Sequence, residues 1–195
     1  MLTKEFTVGG EGSGSDPDIY AAVVKNLFGA KLKLISGYPG TSEVTIALER
    51  GEVDGRASWS WSSLKSTKPH WIKDNLVRFP VQLGTIKNKD LPDVPLILDF
   101  AKTDKQRQIL TLILSRQVMG RPFAAPPGIP EDRKQALRKA FDDAFKDPDL
   151  IAEATKRKMD VNPVSGADIE KLVAEIYATP PDIVAEARAV ITGGK

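Results

Sequence analysis

The chain of 195 residues exceeds one average domain of roughly 100–150 residues and falls short of two large ones. Its 41% hydrophobic and 28% charged residues exclude disorder, and 28 Lys and Arg mixed among 26 Asp and Glu leave a net charge of +2 with no basic block, which argues against nucleic acid as a partner. The absence of cysteine removes disulfides, thiolate nucleophiles and cysteine-based metal centres, and is neutral on compartment.

Phe6 to Gly9 reads as a short buried strand. The Gly-rich stretch Gly9 to Gly14 follows it, and Ser15-Asp16-Pro17-Asp18 is a helix start with Asp16 as cap, Pro17 at the first turn and Asp18 favouring the helix dipole. Ile19, Ala22, Val23 and Leu27 share one helical face, and Gly29 supplies the stop. Lys31 to Ile35 alternates as a second strand, Ser36 to Gly40 turns, and Thr41 or Ser42 caps a helix carrying Val44, Ala47 and Leu48 that ends at Arg50-Gly51. Val53 to Trp59 reads as a third strand, so strand and helix alternate as a parallel sheet requires.

Val77 to Gly84 reads as a further strand despite Pro80, and Leu91 to Pro95 as an extended loop. A helix runs from about Lys105 to Ser115, with Val118 to Ala125 as one more strand. Pro126 to Pro130 opens an amphipathic helix with Ala136, Leu137, Ala140, Phe141, Ala144 and Phe145 inward. Asp147-Pro148-Asp149 starts the next, Ser165 to Asp168 is spaced as a capping box for another, and Thr179-Pro180-Pro181 precedes the last. An α/β front and a helical tail result.

Three segments are candidates for chemistry. In Gly12-Ser13-Gly14-Ser15-Asp16 the missing side chains expose amides at a helix N-terminus, suited to a carboxylate or phosphate. The loop lacks the Lys of a P-loop, and Asp16-Pro17 stands where a dinucleotide fingerprint needs its third glycine. Tyr38, Gly40 and Thr41 precede the second helix and add hydroxyls, while Ser58 and Trp59 end the third strand as a hydroxyl and an aromatic wall. Loops at the carboxyl ends of neighbouring parallel strands face one crevice, so both turn-to-helix junctions, near Ser13 and Thr41, are expected on the same side of a shared cleft. Glu11 and Asp16 repel an anion there unless Arg56 or a lysine offsets them. The single histidine, His70, builds neither a triad nor a two-histidine metal site. No catalytic residue, metal ligand or cofactor motif is assigned, and an enzyme is not expected.

Val8 to Ile19, Gly37-Tyr38-Pro39-Gly40-Thr41 through Leu48 to Gly55, Leu91 to Pro95, Ala125 to Pro130, Asp147-Pro148 and Ile176 to Pro180 together resemble, in order and spacing, the substrate-binding proteins of the tripartite tricarboxylate transporters. That resemblance implies a periplasmic-binding-protein-like fold, with residues 1–115 as the second, ligand-binding α/β lobe and 116–195 as a segment of an otherwise missing first lobe. It further implies a periplasmic receptor that delivers a small carboxylate to membrane permease subunits, although Met1 to Val8 lacks the apolar core of a signal peptide and no later run approaches ~18 apolar residues. A self-associating domain without transport activity, with a possible homodimer to cover sheet edges, is the alternative, and a hydrolase-like α/β enzyme a more distant one.

Overall fold

In the computed structural model, which describes residues 3–157 and 159–194, Phe6–Gly9 forms β1 at the centre of a three-stranded parallel sheet. β2 (Leu32–Ile35) pairs on one side, Phe6 with Leu32 through Gly9 with Ile35; β3 (Gly55–Arg56) pairs on the other, Val8 with Gly55 and Gly9 with Arg56. The third strand is shorter than the expected Val53 to Trp59 because only the end of β1 offers it a partner.

Helix α1 (Asp16–Phe28) follows β1 and α2 (Thr41–Glu49) follows β2. The caps differ from expectation by one residue: Ser15 and Gly40 take the N-cap positions, with Asp16 and Thr41 as first helical residues. Gly29 closes α1 in the left-handed conformation, its amide donating back to the last turn.

The pleat of β1 assigns the helices to opposite faces. Val8 is buried in one cluster with Ile19, Val23 and Val24 of α1. A Cβ on Gly9, the next residue, would stand 2.7 Å from the Val44 methyl of α2. Opposite helices on either side of a central strand are what right-handed crossovers in the order β2-β1-β3 require.

The chain divides into two compact units whose segments alternate along the sequence. The first holds the residues up to Trp59, Phe79–Leu114 and those from Thr179 onward; the second holds Ser60–Arg78 and Ser115–Ala178. The last helix, α9 (Pro181–Thr192), joins the first unit because Ile183 and Ala187 enter its core and Asn26 donates to the Val190 carbonyl at 2.6 Å. α5 (Asp104–Ser115) supplies that core with Ile109, Leu110, Ile113 and Leu114, and Leu110 and Leu114 are wholly buried. Burial of each such leucine is worth about 1.5–3 kcal/mol.

Two expected strands are corrected. Val77 to Gly84 keeps a single parallel bridge, Gln82 with Leu96, because no neighbouring strand extends it; the Gln82 side-chain amide instead donates to the Leu91 and Val94 carbonyls and organises the Leu91 to Pro95 loop. Val118 to Ala125 is turn and irregular chain.

In the second unit, α3 (Trp61–Thr67) and α4 (Pro69–Lys73) meet at Lys68, the residue that Pro69 bars from continuing a helix. α6 (Glu131–Ala144), α7 (Pro148–Lys156) and α8 (Gly166–Tyr177) begin where sequence signals place them, with Asp147 accepting from two first-turn amides and Ser165 from the Asp168 amide. The inward face expected for α6 is corrected too: Ala136, Leu137, Ala140 and Ala144 are exposed, and Phe141 and Phe145 are half-buried against each other with ring centroids 4.6 Å apart.

Asp54 locks the short edge strand. Its carboxylate accepts from the Thr7 amide at 2.7 Å and the Thr7 hydroxyl at 2.8 Å, and its own amide returns to the Thr7 carbonyl at 3.0 Å. The Thr7 amide, then the Thr7 hydroxyl, hold this exposed carboxyl below its ordinary value of 3.8. A depressed folded pKa means that the unfolded chain binds the proton more tightly. The contribution is therefore present above the unfolded value and lost as pH falls through the folded one. Asp54→Asn is expected to flatten the acid limb below about pH 4 in chemical unfolding followed across pH, with a small amplitude for so exposed a group.

Candidate functional site

The carboxyl edge of the sheet gathers the loops after β1, β2 and β3. The first is tied down by Asp18, a buried carboxylate in the first turn of α1. Asp18 accepts from the Glu11 amide at 2.8 Å, the Gly12 amide at 3.1 Å and the Ser15 hydroxyl at 2.9 Å through one oxygen, and from the Ser36 hydroxyl at 2.5 Å through the other. Its neighbours explain the glycines: a Cβ on Gly10 would fall 2.3 Å from the Asp18 oxygen, and Gly12 turns the chain at φ 132°, a conformation side chains resist.

The two loops are joined directly. Gly37 and Tyr38 both donate their amides to the Gly10 carbonyl at 3.1 Å, and Ser36 reaches Asp18. Although α1 and α2 descend opposite faces, their N-terminal junctions meet over one strand end. This is the topological switch point at which open α/β sheets bind ligands.

These bonds sort the predicted site residues. The Gly12 amide and Ser15 hydroxyl serve Asp18, the Ser15 amide donates to the Gly12 carbonyl, and exposed Ser13 and Gly14 form the crest of the loop. Tyr38 lies half-buried with its ring over Gly9. At α2 no side chain caps the helix, so the first-turn amides that follow Gly40 open at Thr41, which is exposed. Ser58 and Trp59 are half-buried at the end of the third loop, and Asp16 is the first residue of α1.

Arg56 binds the third loop to the second. Its Nε donates to the Ser58 carbonyl at 2.6 Å, and its Nη1 to the Thr45 hydroxyl at 2.9 Å and the Thr41 carbonyl at 3.2 Å. The guanidinium lies 4.3 Å from the centroid of the Trp59 ring, a cation–π distance. Burial draws the pKa of Arg56 down, and Glu11 nearby pulls it back up. An arginine remains charged under either influence.

Sequence reasoning gave Asp18 only a dipole role and left Arg56 outside the ligand set. A signal for Asp18 was present, since Ser15-Asp16-Pro17-Asp18 has the spacing of a capping box. The serine donates to the aspartate here, which leaves that carboxylate for the loop amides. For Arg56 the cue was a lone cation two residues before Ser58-Trp59 at a strand's carboxyl end.

Comparison with protein-family models, with curated proteins and with solved structures finds no match. The geometry therefore stands on its own.

Two wider grooves lie elsewhere. One of about 570 Å³ in the second unit is lined by Lys65, Ile72, Lys73, Met159 and Asp160, with Lys65 and Asp160 paired at 3.1 Å. The other, about 460 Å³ beside α1 and α9, is lined by Leu27, Ile109, Glu186 and Val190. Neither brings together donors from several loops, and the sheet edge does, so the edge is the better candidate. Among the described residues no group of His, Asp and Glu is placed to hold a metal ion, no helix is long and apolar enough to cross a membrane, and His70 is exposed beside Trp71.

Proposed function

We propose that the chain is the ligand-binding part of an extracytoplasmic solute receptor that holds a small carboxylate without covalent chemistry and hands it to the permease subunits of a tripartite tricarboxylate-type transporter. The observation that carries the reading is the meeting of the uncapped α2 N-terminus with Arg56 at the sheet's switch point. An uncapped helix start presents amides and the positive end of the helix dipole, and a desolvated guanidinium adds a full charge in a forked geometry matched to a carboxylate. Ser13 and Gly14, at the crest of the joined loop, extend the same edge.

Thermal unfolding in the presence of mono-, di- and tricarboxylates tests the reading. At 100 times its Kd a ligand of the folded chain adds about 2.7 kcal/mol. A carboxylate-dependent rise in Tm is expected. Silence across the panel together with turnover of an ester or phosphate ester would reject a receptor in favour of an enzyme.

A further inference from the structure

The charges at the sheet edge do not suit a polyanion. Among the described residues Arg56 is the one cation that hydrogen-bonds the third loop to the second, whereas Glu11, Asp16, Asp18 and Glu43 all stand in or beside the three loops. Asp18 is satisfied by its four donors. Glu11 is not: its Oε1 is shut off from solvent and accepts no hydrogen bond. Glu11 lies close enough to Arg56 to act on its charge, yet the two form no ion pair.

Arg56 shows the complementary deficit. Its Nε and Nη1 are engaged, while its Nη2 donates to no described residue. A buried acceptor without a donor thus lies two residues beyond Gly9, the strand partner of the half-used guanidinium's residue, with the Trp59 ring against that guanidinium. A buried polar atom left without a partner is costly, and the cost falls away when a bound molecule supplies the missing partner. The molecule that satisfies both has an anionic acceptor at one end and a cationic donor at the other.

Resting on the carboxylate-receptor reading, we propose that the ligand is a small amine-bearing carboxylate, a zwitterion whose carboxylate meets Arg56 Nη2 and the first-turn amides of α2 while its ammonium donates to Glu11. A di- or tricarboxylate would instead bring a second negative group toward Glu11 and Glu43, against a single guanidinium.

Calorimetric titration of the full chain with matched pairs tests this: butyrate against 2-aminobutyrate, and glutarate against glutamate, which differ only in the amine. The amine-bearing member of each pair is expected to bind at least about tenfold more tightly, the worth of one charge-assisted hydrogen bond. Glu11→Gln, checked for folding by circular dichroism, should bring each pair to within about threefold, by weakening the amine-bearing member and relieving the repulsion of the amine-free one. Equal or tighter binding of the amine-free member by the unaltered chain would overturn the zwitterion and leave a carboxylate receptor standing. Failure of all four compounds to bind would overturn the receptor reading and this inference together.

Discussion

Asp18→Ala is expected to destabilise the first unit by about 3 kcal/mol or more, seen as a Tm lower by roughly 6–12 °C and a matching fall in the denaturant midpoint. The size follows from what the carboxylate holds. Two amides and two hydroxyls converge on it from both loops, and alanine leaves the Glu11 and Gly12 amides and the Ser15 and Ser36 hydroxyls without their acceptor. A hydrogen bond to a charged group is worth about 1.5–3 kcal/mol, and unsatisfied buried donors add their own desolvation cost. Asp18→Asn separates shape from charge: its oxygen can keep the Glu11, Gly12 and Ser15 donors while its NH2 donates to the Ser36 hydroxyl, so it should lose less than alanine. An alanine variant within about 1 kcal/mol of the parent would show that the loop holds its form by other means.

Arg56→Met is expected to weaken carboxylate binding by about 10- to 100-fold in calorimetric titration, the range for loss of one charge-assisted contact. Methionine keeps much of the unbranched stem but removes the guanidinium stacked on Trp59 and bonded to the Ser58 carbonyl and the Thr45 hydroxyl. A modest loss of stability accompanies it, about 1 kcal/mol. Arg56→Lys retains charge without the fork, cannot reach all the same acceptors, and should recover only part of the affinity. Unchanged affinity in Arg56→Met would remove the guanidinium from the site.

What was legible in the sequence was what is locally determined. Asp147-Pro148-Asp149 carries its own cap, its own pre-set φ and its own dipole charge, so α7 begins where those three residues place it. Gly29 ends α1 for the same kind of reason. The strands fared worse because a strand exists only by pairing. Val77 to Gly84 and Val118 to Ala125 are apolar runs of suitable length, but no neighbouring strand lines up with either, and β3 shrinks to the two residues that β1 can pair. Periodicity also fixed which side of α6 is apolar without fixing what covers it, and Leu137 remains exposed.

The site divides along the same line. The two loop-to-helix junctions and their convergence were readable from a repeated strand, glycine turn and helix. The bonds that join them were not, because Asp18 and Ser36 are 18 residues apart and Arg56 meets Thr45 across 11. Such long-range polar contacts leave no periodic trace. They decide which amides remain for a ligand, moving the emphasis from Gly12 and Ser15 to Ser13, Gly14 and the first turn of α2.

A backbone amide map of the labelled chain during titration with glutamate reports which N–H groups a bound carboxylate touches. Concerted, saturable shifts are expected at Ser13, Gly14, Thr41, Ser42 and the Arg56 side-chain Nε–H. Shifts confined to the groove of Lys65 and Asp160, with those amides still, would contradict a carboxylate site at the sheet edge.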